Sequence, residues 1–159
     1  MKTLEEIKKD VESNTGATLT IEADALIVPK EKIADVAKFL KTNPDYQMDY
    51  LSCLTGVDYK EHLEVVYHVY SMAQKHGPII LKTRTDREKS LVPSVTPIWR
   101  GAEYQEREAY DLLGVHFEGH PDLRRILMWD EFEFYPLRKD YQADDQDRDP
   151  EPESLEPND

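Results

Sequence analysis

The sequence has little of what cofactor sites and membrane spans require. Among its 159 residues Cys53 is the only cysteine, so the chain cannot form an intrachain disulfide or hold an iron–sulfur cluster or a structural zinc with thiolates alone. The six glycines are isolated, which excludes a glycine-rich phosphate loop. No apolar run approaches the roughly 18 residues of a membrane span. Cys53 lies in a predicted strand, where a small buried residue is expected.

Basic residues are also scarce. The chain has 20 Lys and Arg against 33 Asp and Glu, a net charge of −13. Residues 142–159 contribute −7 of this, which leaves −6 on residues 1–141. Such a field opposes binding to nucleic acid or to an anionic membrane. Because the N-terminal MKTLEEIKKD lacks the apolar core of a signal peptide, we expect a cytoplasmic protein, or one that reaches a membrane only through a partner.

Hydrophobic periodicity predicts two helices and about five strands in residues 1–85. Thr3 and Glu6 form a capping box at the start of the first helix, and residues 30–41 have the apolar spacing of a second. A turn at His76-Gly77-Pro78 predicts a hairpin. Strands are predicted at residues 17–23, 25–28, 48–57, 63–70 and 79–85. The predicted fold class is α+β: a mixed sheet of about five strands with helices packed on one face, followed by an extended C-terminal arm.

A third helix divides the chain. Thr96 as N-cap with Pro97 at the first helical position predicts a helix that runs to Leu113 and ends at Gly114. A short strand at residues 115–117 follows. We therefore predict a body over residues 1–114, an extended arm over residues 115–141, and an acidic tail over residues 142–159 that is disordered because it has almost no apolar side chains.

The third helix carries several charges. Glu103, Arg107 and Asp111 are spaced i, i+4 and i+8, which predicts a ladder of salt bridges on a solvent-exposed face. Glu106 falls on the apolar face instead, which predicts a buried structural carboxylate with a partner. A hydrolase that uses Glu106 and Glu108 as an acid–base pair is the enzyme alternative, but residues two apart on a helix point to different sides.

Two histidines after this helix raise the question of a metal site. His116 and His120 are four residues apart, but Gly119 and Pro121 oppose a helix that would bring their rings together. No HExxH motif or nearby cysteine completes a set of ligands. We expect His120 to stabilise a turn by hydrogen bonding.

The arm combines basic pairs with aromatic residues. Arg124-Arg125 and Arg138-Lys139 are expected either to pair with neighbouring acidic residues or to dock on an acidic or carbonyl-rich partner surface, because guanidinium groups bind carboxylates bidentately. Bulky aromatic side chains are suited to anchoring such an interface. The aromatic anchors of the arm are Phe132, Phe134, Tyr135 and Tyr141.

Three motifs resemble one known family. EREAYDLLG at residues 106–114, FEGHPDLRRIL at residues 117–127 and PLRKDY at residues 136–141 closely resemble the 30 kDa subunit family of proton-pumping NADH-quinone oxidoreductase, respiratory complex I. The likeness extends upstream through VPSVT at residues 92–96. This chain has Phe132-Glu133-Phe134 where the family usually has Trp-x-Gly, and Gln142 where a proline often follows.

The resemblance implies a structural subunit of the hydrophilic arm without a catalytic residue, a bound cofactor or a metal. FMN and iron–sulfur clusters would belong to the assembled complex, which passes electrons from NADH to quinone and translocates protons. The implied partners are the quinone-binding subunit and neighbouring iron–sulfur subunits, on the cytoplasmic side of the membrane. The related alternative is a subunit of an energy-converting hydrogenase or of a quinone or phenazine reductase. The residues that carry the motif, and that we expect to dock on partners, are Glu106, Arg107, Glu108, Asp111, Gly114, Gly119, His120, Pro121, Arg124, Arg125, Pro136, Leu137, Arg138, Lys139, Asp140 and Tyr141.

Overall fold

The structure, a computed structural model, describes residues 2–143 and contains three α-helices and seven strands in this range. The helices are α1 (Leu4–Thr15), α2 (Ile33–Thr42, preceded by a 3₁₀ turn at Lys30–Lys32) and α3 (Ala102–Leu113). The strands are β1 (Thr20–Glu22), β2 (Ala25–Ile27), β3 (Tyr50–Asp58), β4 (His62–Ser71), β5 (His76–Asp86), β6 (Leu91–Pro93) and β7 (His116–Glu118).

The first five strands form one mixed sheet in the order β1-β2-β5-β4-β3. Strands β2 and β5 are parallel, and the other neighbours are antiparallel. Strands β6 and β7 form a separate parallel pair. The α+β fold with a five-stranded mixed sheet is therefore confirmed.

One face of the sheet forms the core with the helices. In β4 the alternate side chains Leu63, Val65, Tyr67 and Val69 are fully buried, whereas their neighbours Val66 and His68 are only half-buried. Period-two burial of this kind is what a sheet covered on one side produces. The buried face packs in one cluster with apolar residues of all three helices, which include Ile7, Val11, Val36, Leu40, Ala109 and Leu113.

The predicted start of the first helix is confirmed. The Thr3 N–H donates to Glu6 Oε2 at 2.7 Å, and the Glu6 N–H donates to Thr3 Oγ1 at 3.3 Å. This reciprocal capping box satisfies amides that have no partner inside the helix. Helix α1 ends at Gly16, whose φ of 65° is the left-handed conformation that glycine adopts readily.

The predicted start of the third helix is wrong. Helix α3 begins at Ala102, because the hydroxyl of Thr96 donates to Glu106 Oε2 at 3.1 Å and does not cap a helix. Residues 96–101 form turns instead. The predicted end is confirmed: the Gly114 N–H donates to the Tyr110 carbonyl at 2.8 Å, with a φ of 78° at Gly114.

The β4–β5 hairpin is confirmed, but its turn was predicted in the wrong place. Ser71 pairs with His76, so Gly77 and Pro78 belong to β5 and the chain reverses between Ser71 and His76. The Gln74 N–H donates to Ser71 Oγ at 3.0 Å within this reversal. Side-chain hydrogen bonding therefore forms the turn without glycine or proline.

Smaller differences concern single elements. Strand β1 is shorter than predicted, and Cys53 is half-buried beside an irregularity in β3 rather than fully buried.

Among the helices within residues 2–143, none is both long and apolar enough to cross a bilayer. The predicted disorder of the tail concerns residues that, from position 144 onward, lie outside the described part of the chain.

Candidate partner-docking site

Asp111 on α3 holds the middle of the arm. Its Oδ2 accepts hydrogen bonds from three successive backbone amides, those of Ile126 at 3.0 Å, Leu127 at 2.6 Å and Met128 at 2.9 Å. Its Oδ1 lies 2.7 Å from Arg125 Nη1. Burial alone would raise the pKa of the Asp111 carboxyl group, but the Met128 amide, the Arg125 guanidinium group and the other two amides hold it below its usual value. The carboxylate therefore stays ionised while it organises the loop.

The predicted ladder of Glu103, Arg107 and Asp111 is wrong. Arg107 is 7% exposed and Asp111 is fully buried. Arg107 donates to the carbonyl oxygens of Arg124 at 3.2 Å and Arg125 at 3.0 Å. Contacts with the arm replace the solvent-exposed pairs because the arm covers this face of α3.

Glu106 is a buried, paired carboxylate, as predicted. It is fully buried and accepts hydrogen bonds from Ser94 Oγ at 2.6 Å, the Val95 N–H at 2.7 Å and Thr96 Oγ1 at 3.1 Å. Burial raises its pKa, although these donors partly oppose the shift. Glu108 is exposed on another side of α3. The two carboxylates thus do not converge on one site, which removes the geometric basis of the acid–base alternative.

His120 stabilises the turn after β7. The Asp122 N–H donates to its Nδ1 at 3.0 Å, so the ring proton is on Nε2, which donates to the Glu103 carbonyl at 2.9 Å. The His120 side chain is fully buried, and Nε2 lies 3.9 Å from Glu106 Oε2. His116, in contrast, is exposed and packs edge-on against the ring of Tyr110 at 5.1 Å. Within residues 2–143, no three side chains are grouped as metal ligands.

The end of the arm is bound to the end of α3. The Leu137 N–H donates to the Leu112 carbonyl at 3.0 Å, and Arg138 Nε donates to the Leu113 carbonyl at 2.8 Å. The Arg138 guanidinium group also lies over the ring of Tyr135, 4.6 Å from its centroid. These bonds satisfy carbonyl groups that a helix terminus leaves without a partner.

Asp58 at the end of β3 also holds the end of the arm. Its Oδ2 accepts from the Lys139 N–H at 2.8 Å and from Arg87 Nη2 at 2.9 Å. Arg87 Nη1 also donates to Asp140 at 3.1 Å. Burial would raise the pKa of Asp58, but the Lys139 amide, Arg87 and the Lys60 amide lower it to about 2.

Gly114 permits this close packing. A Cβ atom at this position would lie 2.7 Å from Arg138 Nη2 and 2.7 Å from the Tyr135 ring. Its φ of 78° is also unfavourable for residues with side chains. Phe134, at the position where the family usually has glycine, does not have a positive φ, so the backbone there does not require glycine.

The arginines predicted to dock differ in their accessibility. Arg125 and Arg138 bind groups within the chain, which corrects the expectation that their guanidinium groups are free to dock. The side chain of Arg124 is 66% exposed and pairs with Asp122 at 2.9 Å. Several apolar side chains of the arm are exposed, and of these only Leu137 and Phe134 were predicted from the sequence to contact a partner. The exposed large apolar side chains of the arm are Ile126, Leu127, Trp129, Phe134 and Leu137, with 36%, 59%, 62%, 59% and 60% exposure.

Sequence reasoning missed the residues that attach the arm. Asp58 and Arg87 lie 81 and 51 positions before their arm partners Lys139 and Arg138. No spacing rule connects residues so far apart. Leu127 and Trp129 could have been noticed as apolar residues in a segment without helical or strand periodicity.

Comparison with known proteins identifies the family. The family described as respiratory-chain NADH dehydrogenase, 30 kDa subunit, matches residues 26–147. An NADH-quinone oxidoreductase subunit of Rhizobium meliloti is 48% identical over 131 residues, which are 80% of this chain and 70% of that protein. The corresponding subunit of Roseiflexus castenholzii is 47% identical over 116 residues, 71% of this chain and 66% of that protein. The chain thus spans about two thirds of the length of these curated relatives.

Two solved structures share the fold. A chain of an archaeal respiratory membrane complex, the membrane-bound sulfane sulfur reductase, has a TM-score of 0.65 and 30% identity, and the match covers 87% of this chain and 85% of that chain. A trypsin-resistant fragment of Nqo5 has a TM-score of 0.55 and 28% identity, covering 76% and 98%. On the family match and these relatives, the chain belongs to the 30 kDa subunit family of the respiratory-chain NADH dehydrogenase.

Proposed function

We propose that this chain is a cofactor-free structural subunit of the hydrophilic arm of NADH-quinone oxidoreductase, and that its residues 115–141 dock on the quinone-binding subunit. In this role the chain positions its neighbours, and the electron carriers, FMN and iron–sulfur clusters, belong to other subunits. The complex passes electrons to quinone and translocates protons. The chain meets the cytoplasmic side of the membrane only through that complex.

The distribution of exposed apolar side chains carries the proposal. Five of the ten exposed large apolar residues of the described chain lie between positions 126 and 137. The backbone that presents Leu127 is fixed by Asp111, and the backbone next to Leu137 is fixed by Leu112 and Arg138. Because this backbone is already fixed, it loses little further conformational entropy when a partner covers these side chains, so such a surface favours stable association.

A second assembly is favoured by one comparison. The archaeal membrane-bound sulfane sulfur reductase gives the TM-score of 0.65, above the value of 0.55 for the Nqo5 fragment. The same docking surface would then serve a complex with another electron donor or acceptor, of the energy-converting hydrogenase or quinone reductase type. The two assemblies differ in the subunits that accompany this chain.

Native mass spectrometry tests both proposed assemblies. The complex is purified through a tag on the full chain. We expect a quinone-binding subunit and NADH-oxidising subunits to be recovered with the chain. Hydrogenase or sulfur-reductase subunits in their place would favour the second assembly. Recovery of the chain alone, from cells that contain the intact complex, would contradict the proposal.

A matched pair of variants tests the docking surface. The double substitution Leu127→Ser and Trp129→Ser should lower recovery of the partner subunits at least tenfold, because buried apolar and Trp anchors dominate interface energies. Met72→Ser, in the β4–β5 turn and 63% exposed, is the control and should leave recovery unchanged. Circular dichroism of the variant chains would confirm that the substitutions have not unfolded them.

A further inference from the structure

The arm contains a groove that contacts among residues 2–143 do not fill. Four aromatic side chains, Trp129, Phe132, Phe134 and Tyr141, line it, and its volume is about 690 Å³. The rings form one cluster, with centroids 4.7 Å apart for Trp129 and Phe132 and 6.1 Å apart for Phe134 and Tyr141. We call this the aromatic groove. Trp129 and Phe134 are 62% and 59% exposed, so their outer ring surfaces face solvent.

The rim of the aromatic groove is acidic. Glu131, Glu133 and Asp140 line it, and no Lys or Arg does so among the described residues. Asp140 is compensated by its contacts with Arg87. Glu131 and Glu133 are exposed, and neither has a salt bridge within residues 2–143. Two carboxylates without a described partner thus stand beside open aromatic faces.

From this arrangement we propose that the aromatic groove receives a cationic side chain, Lys or Arg, from the partner protein on which the arm docks. The proposal rests on the proposed function and specifies the chemistry of the partner at this point. A cation over a Trp or Phe face is attracted by the negative ring face, and it gains further when the interface excludes water. Glu131 and Glu133 supply the opposite charge that such a cation requires when it leaves water.

The same arm already uses this chemistry on its inner side. The guanidinium carbon of Arg125 lies 5.5 Å from the centroid of Phe132, and that of Arg138 lies 4.6 Å from the centroid of Tyr135. Both arginines belong to the arm of this chain. A cation from a partner would occupy the outer side in the same way.

Charge favours this occupant over two alternatives, the C-terminal residues of the same chain and a second copy of the chain. Residues 144–159 of this chain carry a charge of −7, which does not complement the carboxylates of Glu131 and Glu133. A second copy of the chain carries −13 and is repelled for the same reason. A cationic segment of a different protein is complementary to the rim and also fits the hetero-oligomeric role proposed above.

Salt-dependent dissociation of the purified complex tests the proposal. The complex is captured through a tag on the full chain, and release of the partner subunits is followed as the concentration of NaCl is raised. The double variant Glu131→Gln and Glu133→Gln should release the quinone-binding subunit roughly tenfold faster than the unmodified chain at the same salt concentration, because a cation in the groove would lose its counter-charges.

The control changes net charge by the same amount at another surface. Glu5→Gln with Glu31→Gln alters exposed residues in the N-terminal part of the chain and should leave the release rate unchanged. If the groove variant releases the partner like the control while Leu127→Ser with Trp129→Ser still lowers recovery, the cationic occupant is overturned and the proposed docking function stands. If the unmodified chain recovers no quinone-binding subunit, the docking function fails and the groove proposal fails with it.

Discussion

The carboxylate of Asp111 lies 2.7 Å from the guanidinium group of Arg125, although the two residues are 14 positions apart in the sequence. The pair joins the buried side of α3 to the middle of the arm. Because Asp111 also accepts three backbone amides, one side chain determines the path of residues 125–128.

Asp111→Asn should destabilise the chain and loosen the arm. The substitution removes the charge that compensates Arg125 and replaces one acceptor oxygen by a donor, and loss of one member of a buried ion pair costs about 3 kcal/mol. Urea unfolding measures the free energy, and limited proteolysis reports cleavage in residues 119–130. Asp122→Asn, at the exposed pair with Arg124, is the control. Equal cleavage of the two variants would contradict the role of Asp111.

Asp58 should make the chain sensitive to acid. Its folded-state pKa of about 2 lies below the usual 3.8, so the ionised form stabilises the fold above pH 3.8, and this stabilisation is lost as pH falls toward 2. The free energy of unfolding relative to Asp58→Asn should therefore shrink by about 2 kcal/mol between pH 6 and pH 2. Arg87 also lowers the pKa of the exposed Asp140 carboxyl group, so Asp140→Asn should show a dependence in the same direction that is smaller because solvent screens this pair. A difference that does not vary with pH would contradict the prediction.

Glu106 should have the opposite dependence on pH. Its pKa is raised from 4.5 by burial, so the folded chain binds this proton more tightly than the unfolded chain does. Stability relative to Glu106→Gln should therefore fall as pH rises from about 4.5 through the raised pKa. Urea midpoints measured from pH 4 to pH 8 test this, with Glu108→Gln on the exposed side of α3 as the control. A difference that grows with pH would exclude the proposed environment of Glu106.

Gly114 and Gly119 offer a matched comparison of backbone strain with packing. Both have a left-handed φ, 78° and 82°, but only Gly114 faces atoms within contact distance of an added Cβ. Gly119→Ala should cost about 1–2 kcal/mol from strain alone. Gly114→Ala should cost about 1–3 kcal/mol more, because Tyr135 and Arg138 must move. Thermal unfolding of both variants measures the difference, and equal losses would show that the arm does not pack on Gly114 as described.

Local signals predicted the N-terminal elements well. Thr3 and Glu6 cap α1 through contacts within one turn, and the apolar spacing of Ile33, Val36 and Leu40 reflects a helix that faces one core. In these elements the interacting residues are close together in the sequence, so the local sequence pattern is sufficient to predict them. The chemistry of Glu106 on an apolar face was predictable for the same reason.

Hydrogen bonds to residues distant in the sequence explain the wrong predictions for α3. Thr96 has the form of a helix cap, but its hydroxyl is taken by Glu106 ten residues later, so the helix starts at Ala102. Arg107 has the spacing of a solvent-exposed ladder, but the arm covers its face of α3. In both cases the side chain could form a local interaction, but it binds a group farther away in the sequence. Burial strengthens that hydrogen bond.

The bond between Lys139 and Asp58 spans 81 positions of the chain. Closing so large a loop costs entropy, which the contacts formed at Asp58 must offset. The arm is also synthesised after β3 and α3, and its attachment requires that both are in place. On the docking function proposed above, the arm would present its apolar surface to a partner only after the body has folded.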